Sequence, residues 1–170
     1  MLSALSNRRI LLVTPYYLYV GAFMSFWLSI YPTTMPFTKS ISSYTMLPAH
    51  FAMVSFVGSF SMGIFTAMAS ARVRLFGLRP LLYADMSIHV VVYFLFIAST
   101  PASSTYTTND ESALLIQPSI ITIASRWICL VLGVLMGMCD NANNTTRTVL
   151  SSVVVPAFRA QAFAIMRFYH

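Results

Sequence analysis

The sequence contains few charged side chains. Charged residues make up 8% of its 170 residues and hydrophobic residues 58%, and the mean hydropathy is +0.75. Soluble domains carry about 25% charged residues because most of their surface faces water. The shortage of charge therefore excludes an ordinary soluble domain and predicts an integral membrane protein built from helices.

Acidic residues are especially scarce. Four Asp and Glu stand against ten Lys and Arg, which gives a formal net charge of +6. In a soluble chain this balance would suggest a nucleic-acid partner. Here the arginines lie at the ends of apolar segments, where they act as topology signals rather than as one basic patch. We therefore do not expect nucleic acid as a partner.

Patterns typical of catalytic and metal sites are also missing. The two cysteines, Cys129 and Cys139, lie in one apolar segment and would be separated by about 15 Å along a helix, too far for a disulfide. The sequence contains no H-E-x-x-H motif, phosphate-binding loop or Ser-His pattern. We predict no enzymatic activity, no cofactor and no metal site.

Apolar segments of membrane-spanning length occupy most of the chain. A helix needs about 20 apolar residues to cross a bilayer. Four segments meet this requirement and a fifth begins near the end of the sequence, at about residues 10–31, 47–70, 81–99, 124–149 and 160–170. The sequence thus predicts an all-α polytopic transmembrane bundle that forms a single region over residues 1–170.

Basic residues concentrate on one side of the predicted spans. Arg8 and Arg9 precede the first span, and further arginines lie in the loop predicted at 71–80, whereas the loop predicted at 100–118 carries acidic residues. By the positive-inside rule, the N-terminus and loop 71–80 are cytoplasmic and loop 100–118 is extracytoplasmic. The sequence does not distinguish the plasma membrane from an endomembrane.

Small residues repeat at every fourth position in two spans. They are Ser55, Ser59, Gly63 and Ala67 in the second span, and Gly133 and Gly137 in the fourth. Such stripes let another helix backbone approach closely. We predict close packing within the bundle, with a homodimer interface as the alternative.

The fourth apolar segment leads into a polar stretch. Asp140, Asn143, Asn144 and Arg147 follow one another at i, i+3, i+4 and i+7, and Thr145 adjoins them. This spacing predicts one polar face of a helix.

Two registers are open for this fourth span. It could end at Cys139 and leave the polar stretch in a cytoplasmic loop. Alternatively, Arg126 marks the outer interface and the helix continues to about Thr148, which places Asp140 inside the membrane. The helical period of the polar residues favours the second register.

Charged residues at membrane depth need partners or a water-filled cavity, since each costs at least about 2.5–3.5 kcal/mol there. Asp140 and Arg147 would be about 10 Å apart along the helix, too far to pair directly. Asn143 and Asn144 could bridge them, or each could pair with another helix. Whether this face clamps the bundle together or lines a cavity remains open.

The third span adds two candidate polar partners, Asp85 and His89, at i and i+4. Asp85 lies near the cytoplasmic end of the span and is expected to reach water. For His89 we expect a hydrogen bond to a backbone carbonyl or a hydroxyl, with a proton relay as the alternative. Asp85 and Asp140 also suggest an intramembrane aspartyl protease, but the residues around them do not fit its motifs.

Two groups of residues carry a family resemblance. They are Gly21, Phe26, Trp27 and Tyr31 in the first span, and Gly137, Asp140, Asn144 and Thr145 in the fourth. They resemble the seventh and tenth helices of the uncoordinated-ninety-three-like family of ion channel regulatory proteins, in the major facilitator superfamily. The tenth-helix pattern is G-x-G-D-x-x-x-N-T-Q, from which this chain departs at Cys139 and Thr146.

The resemblance implies part of a facilitator-type fold, which has about twelve helices, and hence a fragment of a longer protein. It further implies a regulatory or chaperoning subunit whose partner is a channel, such as a potassium channel, or a receptor subunit. The alternative is a solute transporter with Asp140, Asn144 and Arg147 in its cavity and an unknown substrate.

Overall fold

Helices account for nearly all of the described chain. A computed structural model describes residues 8–37, 45–76, 79–99, 121–154, 160–161 and 163–164. In chain order its elements are α1 (Arg8–Ser25), a π-helical turn (Phe26–Ile30), α2 (Tyr31–Phe37), α3 (Leu47–Phe76), α4 (Arg79–Ser99) and α5 (Ile121–Val154). Within these ranges there is no strand, and the predicted all-helical bundle is confirmed.

Three of the described segments are long and apolar enough to cross a membrane. They are Ile10–Met35, Leu47–Ala69 and Leu82–Ser99, which match the first three predicted spans. Helix α5 is not among these three. Its backbone nevertheless continues as helix from Ile121 through the polar stretch to Val154. That α5 crosses the membrane stays a prediction.

The connection between α3 and α4 is shorter than the loop predicted at 71–80. Helix α3 continues to Phe76 and α4 begins at Arg79, so most of that segment is helical. The physical reason is its composition: residues 71–76 contain neither glycine nor proline, and Ala, Arg and Leu are good helix formers. Loop 100–118 lies outside the described residues, as does most of the last apolar segment.

A proline explains the change of helix type in the first span. Pro32 has no N–H, and its ring would clash with the carbonyl group of Leu28 in a regular α-helix. Directly before it, the chain widens into the π-helical turn, in which the Tyr31 N–H donates to the Phe26 carbonyl oxygen. The π-helical turn therefore joins α1 to α2 so that the first span stays helical throughout.

Helices α3 and α5 approach each other through their small residues. A Cβ atom added to Gly137 would lie 1.9 Å from the Ser55 carbonyl oxygen, and one added to Gly58 would lie 2.0 Å from the Val134 carbonyl oxygen. The two backbones are therefore in direct contact at both points. The predicted stripe on α3 is correct at Ser55 but not at Ala67, which is exposed.

Large apolar side chains lie both between the helices and on the outside of the bundle. The inner group includes Phe23, Tyr31, Phe51, Val92, Leu132 and Met136. On the outer face of α3 the exposed side chains are Met53, Phe56, Val57, Phe60, Ile64, Phe65 and Met68. An apolar exterior is the surface expected where lipid rather than water is the solvent.

Candidate functional site

A group of buried polar side chains lies where α1, α4 and α5 come together. His89 on α4 lies at the centre of this cluster and is 4% exposed. Its Nε2 atom is 3.0 Å from Nδ2 of Asn143 on α5, and Asn143 itself is fully buried. From α1, the Tyr16 hydroxyl donates to Oδ1 of Asn143 at 3.4 Å. Asn143 thus connects all three helices through one amide group.

The hydrogen bonds around His89 define its tautomer. The Nδ1 atom lies 2.8 Å from the Asp85 carbonyl oxygen and 3.2 Å from the Asp85 carboxylate. Because both neighbours are acceptors, Nδ1 carries the hydrogen. Because Nε2 faces the amide nitrogen of Asn143, Nε2 is the acceptor. In this arrangement His89 is neutral. The expected bond from His89 to a backbone carbonyl is present.

The expectation that Asp85 reaches water is wrong. Its side chain is 3% exposed, and its carboxylate oxygen Oδ1 lies next to Nδ1 of His89, whose hydrogen bond goes to the Asp85 carbonyl oxygen. The reason is the i, i+4 spacing on α4, which lays the His89 ring against the Asp85 carboxylate. Asp85 and His89 therefore form one buried pair rather than two separate groups.

Aromatic rings enclose the histidine on the side of α1. The Phe23 ring meets the His89 ring edge-on with 4.6 Å between the ring centres, and the Tyr19 ring lies 5.6 Å away. Phe23 also packs edge-on against Tyr93 of α4. These rings separate His89 from the outside of the bundle, which strengthens the electrostatic interactions of the pair.

A second chain of hydrogen bonds runs along α5 itself. The Asn144 amide nitrogen donates to the Asp140 carboxylate at 2.9 Å, and the Arg147 guanidinium donates to the Asn144 amide oxygen. Asn144 thus bridges the acid and the base. Asp140 and Asn144 are half-buried, whereas Arg147 is 4% exposed.

The structure therefore divides the predicted polar face into two parts. Asn143 turns toward α1 and α4, whereas Asp140, Asn144 and Arg147 are linked along α5. Thr145 is half-buried beside them. Which of these residues serve a function stays a prediction.

Several polar residues beside this cluster were not predicted from the sequence. They are Tyr16, Tyr17, Thr146 and Ser151, of which Thr146 and Ser151 are buried. A usable signal was present on α5, since Thr146 and Ser151 lie three and eight positions after Asn143 and so fall near the same helix face. No comparable signal marked the tyrosines of α1, because their partners lie more than a hundred residues away.

Tyr17 of α1 forms a hydrogen bond with Ser151, at the C-terminal end of the polar face of α5. Its hydroxyl lies 2.6 Å from the Ser151 hydroxyl, which also donates to the Arg147 carbonyl oxygen at 2.7 Å. We expect Tyr17→Phe to lower the free energy of unfolding by about 1 kcal/mol, since one buried hydrogen bond is lost and Ser151 keeps its backbone partner. Thermal unfolding in detergent would measure this change, with Tyr83→Phe at an exposed position as the control. An unchanged stability would contradict the expectation.

No group of three or more His, Cys, Asp and Glu side chains is placed to hold a metal ion in the described ranges. Of the acids of the site, Asp85 lies with Oδ1 3.2 Å from Nδ1 of His89, and Asp140 accepts a hydrogen bond from the Asn144 amide. The donor set thus consists of one imidazole, amides, hydroxyls and one guanidinium, which suits hydrogen bonding between helices.

Together, the apolar exterior and the polar contacts between helices define an integral membrane protein of the polytopic helical class. Residues 1–170 match the family model of the ion channel regulatory protein UNC-93, so the chain belongs to this family. No curated protein and no solved structure matches it significantly. The family resemblance of the first and fourth spans is thereby confirmed at the level of the family.

Proposed function

We propose that the protein acts as a regulatory subunit of another membrane protein, an ion channel and in particular a potassium channel. The observation that carries this proposal is the family match over the whole chain. We also infer a facilitator-type arrangement of helices, of which this chain would supply part of the second half. The outer surface of α3 supports the proposal because its exposed apolar side chains suit contact with another helix within the bilayer.

Affinity purification of the full-length protein in mild detergent tests this function. We expect a channel subunit in a fixed ratio to the tagged protein, and altered channel current when both are expressed together. An unrelated multi-span protein carrying the same tag and expressed at the same level is the control. Recovery of a well-folded protein without any such subunit would contradict the proposal.

A solute transporter is the second candidate, favoured by the half-buried Asp140 and Asn144 next to the buried Arg147. These three hydrogen-bonded side chains offer both an acceptor and donors to a polar solute. Because the two ends of this group carry opposite charge, it would suit a zwitterionic or otherwise dipolar molecule.

Asp140→Asn separates the two candidates. The new amide keeps an oxygen that can accept from Asn144, so we expect near wild-type expression and unchanged recovery of the channel partner. Asp140→Leu, which removes the acceptor, is the matched variant for damage to the hydrogen-bond chain. Loss of solute uptake in Asp140→Asn, with intact expression, would instead support transport and contradict regulation alone.

A further inference from the structure

The buried pair of Asp85 and His89 contains a group that can change its charge. His89 is neutral in the observed arrangement and has a carboxylate 3.2 Å from its Nδ1 atom. An added proton would make the ring cationic, and this carboxylate would balance the charge within the bundle. Neither residue needs to move for that balance, since the pair is already in contact.

The partner on the other side of the ring does not fit a protonated histidine. At present the Asn143 amide nitrogen donates to Nε2, which requires a free electron pair on Nε2. After protonation, Nε2 would itself be a donor and would face another donor. The amide has an acceptor, Oδ1, on its opposite side, which now receives the Tyr16 hydroxyl. Rotation of the amide by about half a turn would therefore exchange the two.

From these contacts we propose that Asp85, His89 and Asn143 form a binding site for one proton, and that the Asn143 amide turns over when the proton binds. The proton comes from a hydronium ion: its O–H bond breaks as the N–H bond forms on the lone pair of Nε2, and a neutral water molecule is left. In the protonated state Nε2 donates to Oδ1 of Asn143, and Nδ2 of Asn143 donates to the hydroxyl oxygen of Tyr16. The site stands independently of channel regulation.

Other titratable and charged groups line the same space. They are Tyr16, Tyr17 and Tyr19 on α1, Asp85 and Tyr93 on α4, and Cys139, Asp140 and Arg147 on α5. The carboxylate in contact with the ring is that of Asp85, and Arg147 bonds to Asn144 on its own helix. The carboxylate of Asp85 is thus the charged group in contact with the ring.

Rotation of the Asn143 amide would make the hydrogen bonding of Tyr16 on α1 depend on the charge of His89 on α4. Tyr16 is a donor to Asn143 in the neutral arrangement and becomes an acceptor in the protonated one. Its hydroxyl hydrogen must then turn to a different neighbour. Proton binding at His89 would thus change the contact between the two helices without any change in the backbone.

Nuclear magnetic resonance of ¹⁵N-labelled histidine in the full-length protein, reconstituted in lipid nanodiscs, tests the site. The described chain places His89 inside and His50 on the exposed start of α3, so His89→Gln and His50→Gln assign the signals of these two histidines among those of the protein. We expect His89 to pass from the neutral form with hydrogen on Nδ1 to the doubly protonated form as the pH falls. A neutral ring from about pH 8 to pH 4 would overturn the proposal.

Three variants test the parts of the site. Asp85→Asn should lower the proton affinity of His89 about tenfold, and Asn143→Asp should raise it by at least as much, because they remove and add a neighbouring negative charge. Tyr16→Phe should shift the affinity as well if the amide turns, since it removes the group that takes up Nδ2. Unchanged affinity in Asp85→Asn or Asn143→Asp would refute the proton site, and unchanged affinity in Tyr16→Phe would refute the rotation.

Discussion

Gly137→Ala is expected to lower the free energy of unfolding by about 3 kcal/mol, at the upper end of the usual range for an overpacked contact. The new Cβ atom would lie 1.9 Å from the Ser55 carbonyl oxygen and 2.7 Å from its carbonyl carbon. The obstacle is backbone rather than a flexible side chain, so α3 and α5 must separate along their contact. Thermal unfolding of the full-length protein, followed by fluorescence-detected size exclusion, would measure the loss.

Two glycines of the facing helix, α3, provide the matched comparisons. Gly58→Ala should destabilise the protein to a similar degree, because its Cβ atom would lie 2.0 Å from the Val134 carbonyl oxygen. Gly63→Ala should have little effect, since its nearest neighbour, Nδ2 of Asn141, would lie at an ordinary 3.5 Å. Equal stability of Gly137→Ala and Gly63→Ala would show that the α3–α5 contact is not as close as described.

Asn143→Leu is expected to lower the free energy of unfolding by about 2 kcal/mol. The leucine has nearly the same volume but leaves Nε2 of His89 without its donor, and a buried polar group without a partner costs about 1–3 kcal/mol. It also removes the acceptor of the Tyr16 hydroxyl. Unfolding in nanodiscs, compared with Thr148→Val, would measure the effect. The control side chain is exposed, and its hydroxyl donates to the Asn144 carbonyl oxygen of its own helix.

A double variant shows whether the loss of stability comes from the unpaired His89 ring or from poor packing of the new leucine. When His89→Leu is combined with Asn143→Leu, no unpaired imidazole remains, so the combined loss should be smaller than the sum of the two single losses. Additive losses would mean that His89 and Asn143 do not depend on each other, and the hydrogen bond between them would then contribute little to stability.

The membrane-spanning segments were accessible from sequence because their signal is local. Length and hydropathy located the three helices within Ile10–Met35, Leu47–Ala69 and Leu82–Ser99. The continuation of α5 was also predicted, since the polar residues kept a helical period instead of forming a loop pattern. Both inferences rest on residues that are neighbours in the chain, where a helix fixes the geometry.

The contacts between helices were less accessible. The distance from His89 to Asn143 along the chain gives no indication that they meet, and the expectation of a solvated Asp85 followed only from its position near a helix end. On α3, counting every fourth residue found Ser55 but missed Gly58. A helix has 3.6 residues per turn, so a packed face alternates steps of three and four and drifts away from any fixed spacing.

The π-helical turn at Phe26–Ile30 gives the first membrane helix two successive orientations. A π turn contains about one residue more than an α turn, so the chain beyond it is rotated by about 100° relative to an uninterrupted α-helix. Before the turn Phe23 faces His89 of α4, and after it Tyr31 packs against Phe51 of α3 as well as Phe96 of α4. Gain or loss of one residue within this turn would hardly change the length of the helix across the bilayer. It would, however, change which neighbouring helix the second half packs against. At this turn, insertion or deletion of one residue during evolution can therefore change the helix contacts by rotation of the second half, while the length of the hydrophobic segment stays nearly the same.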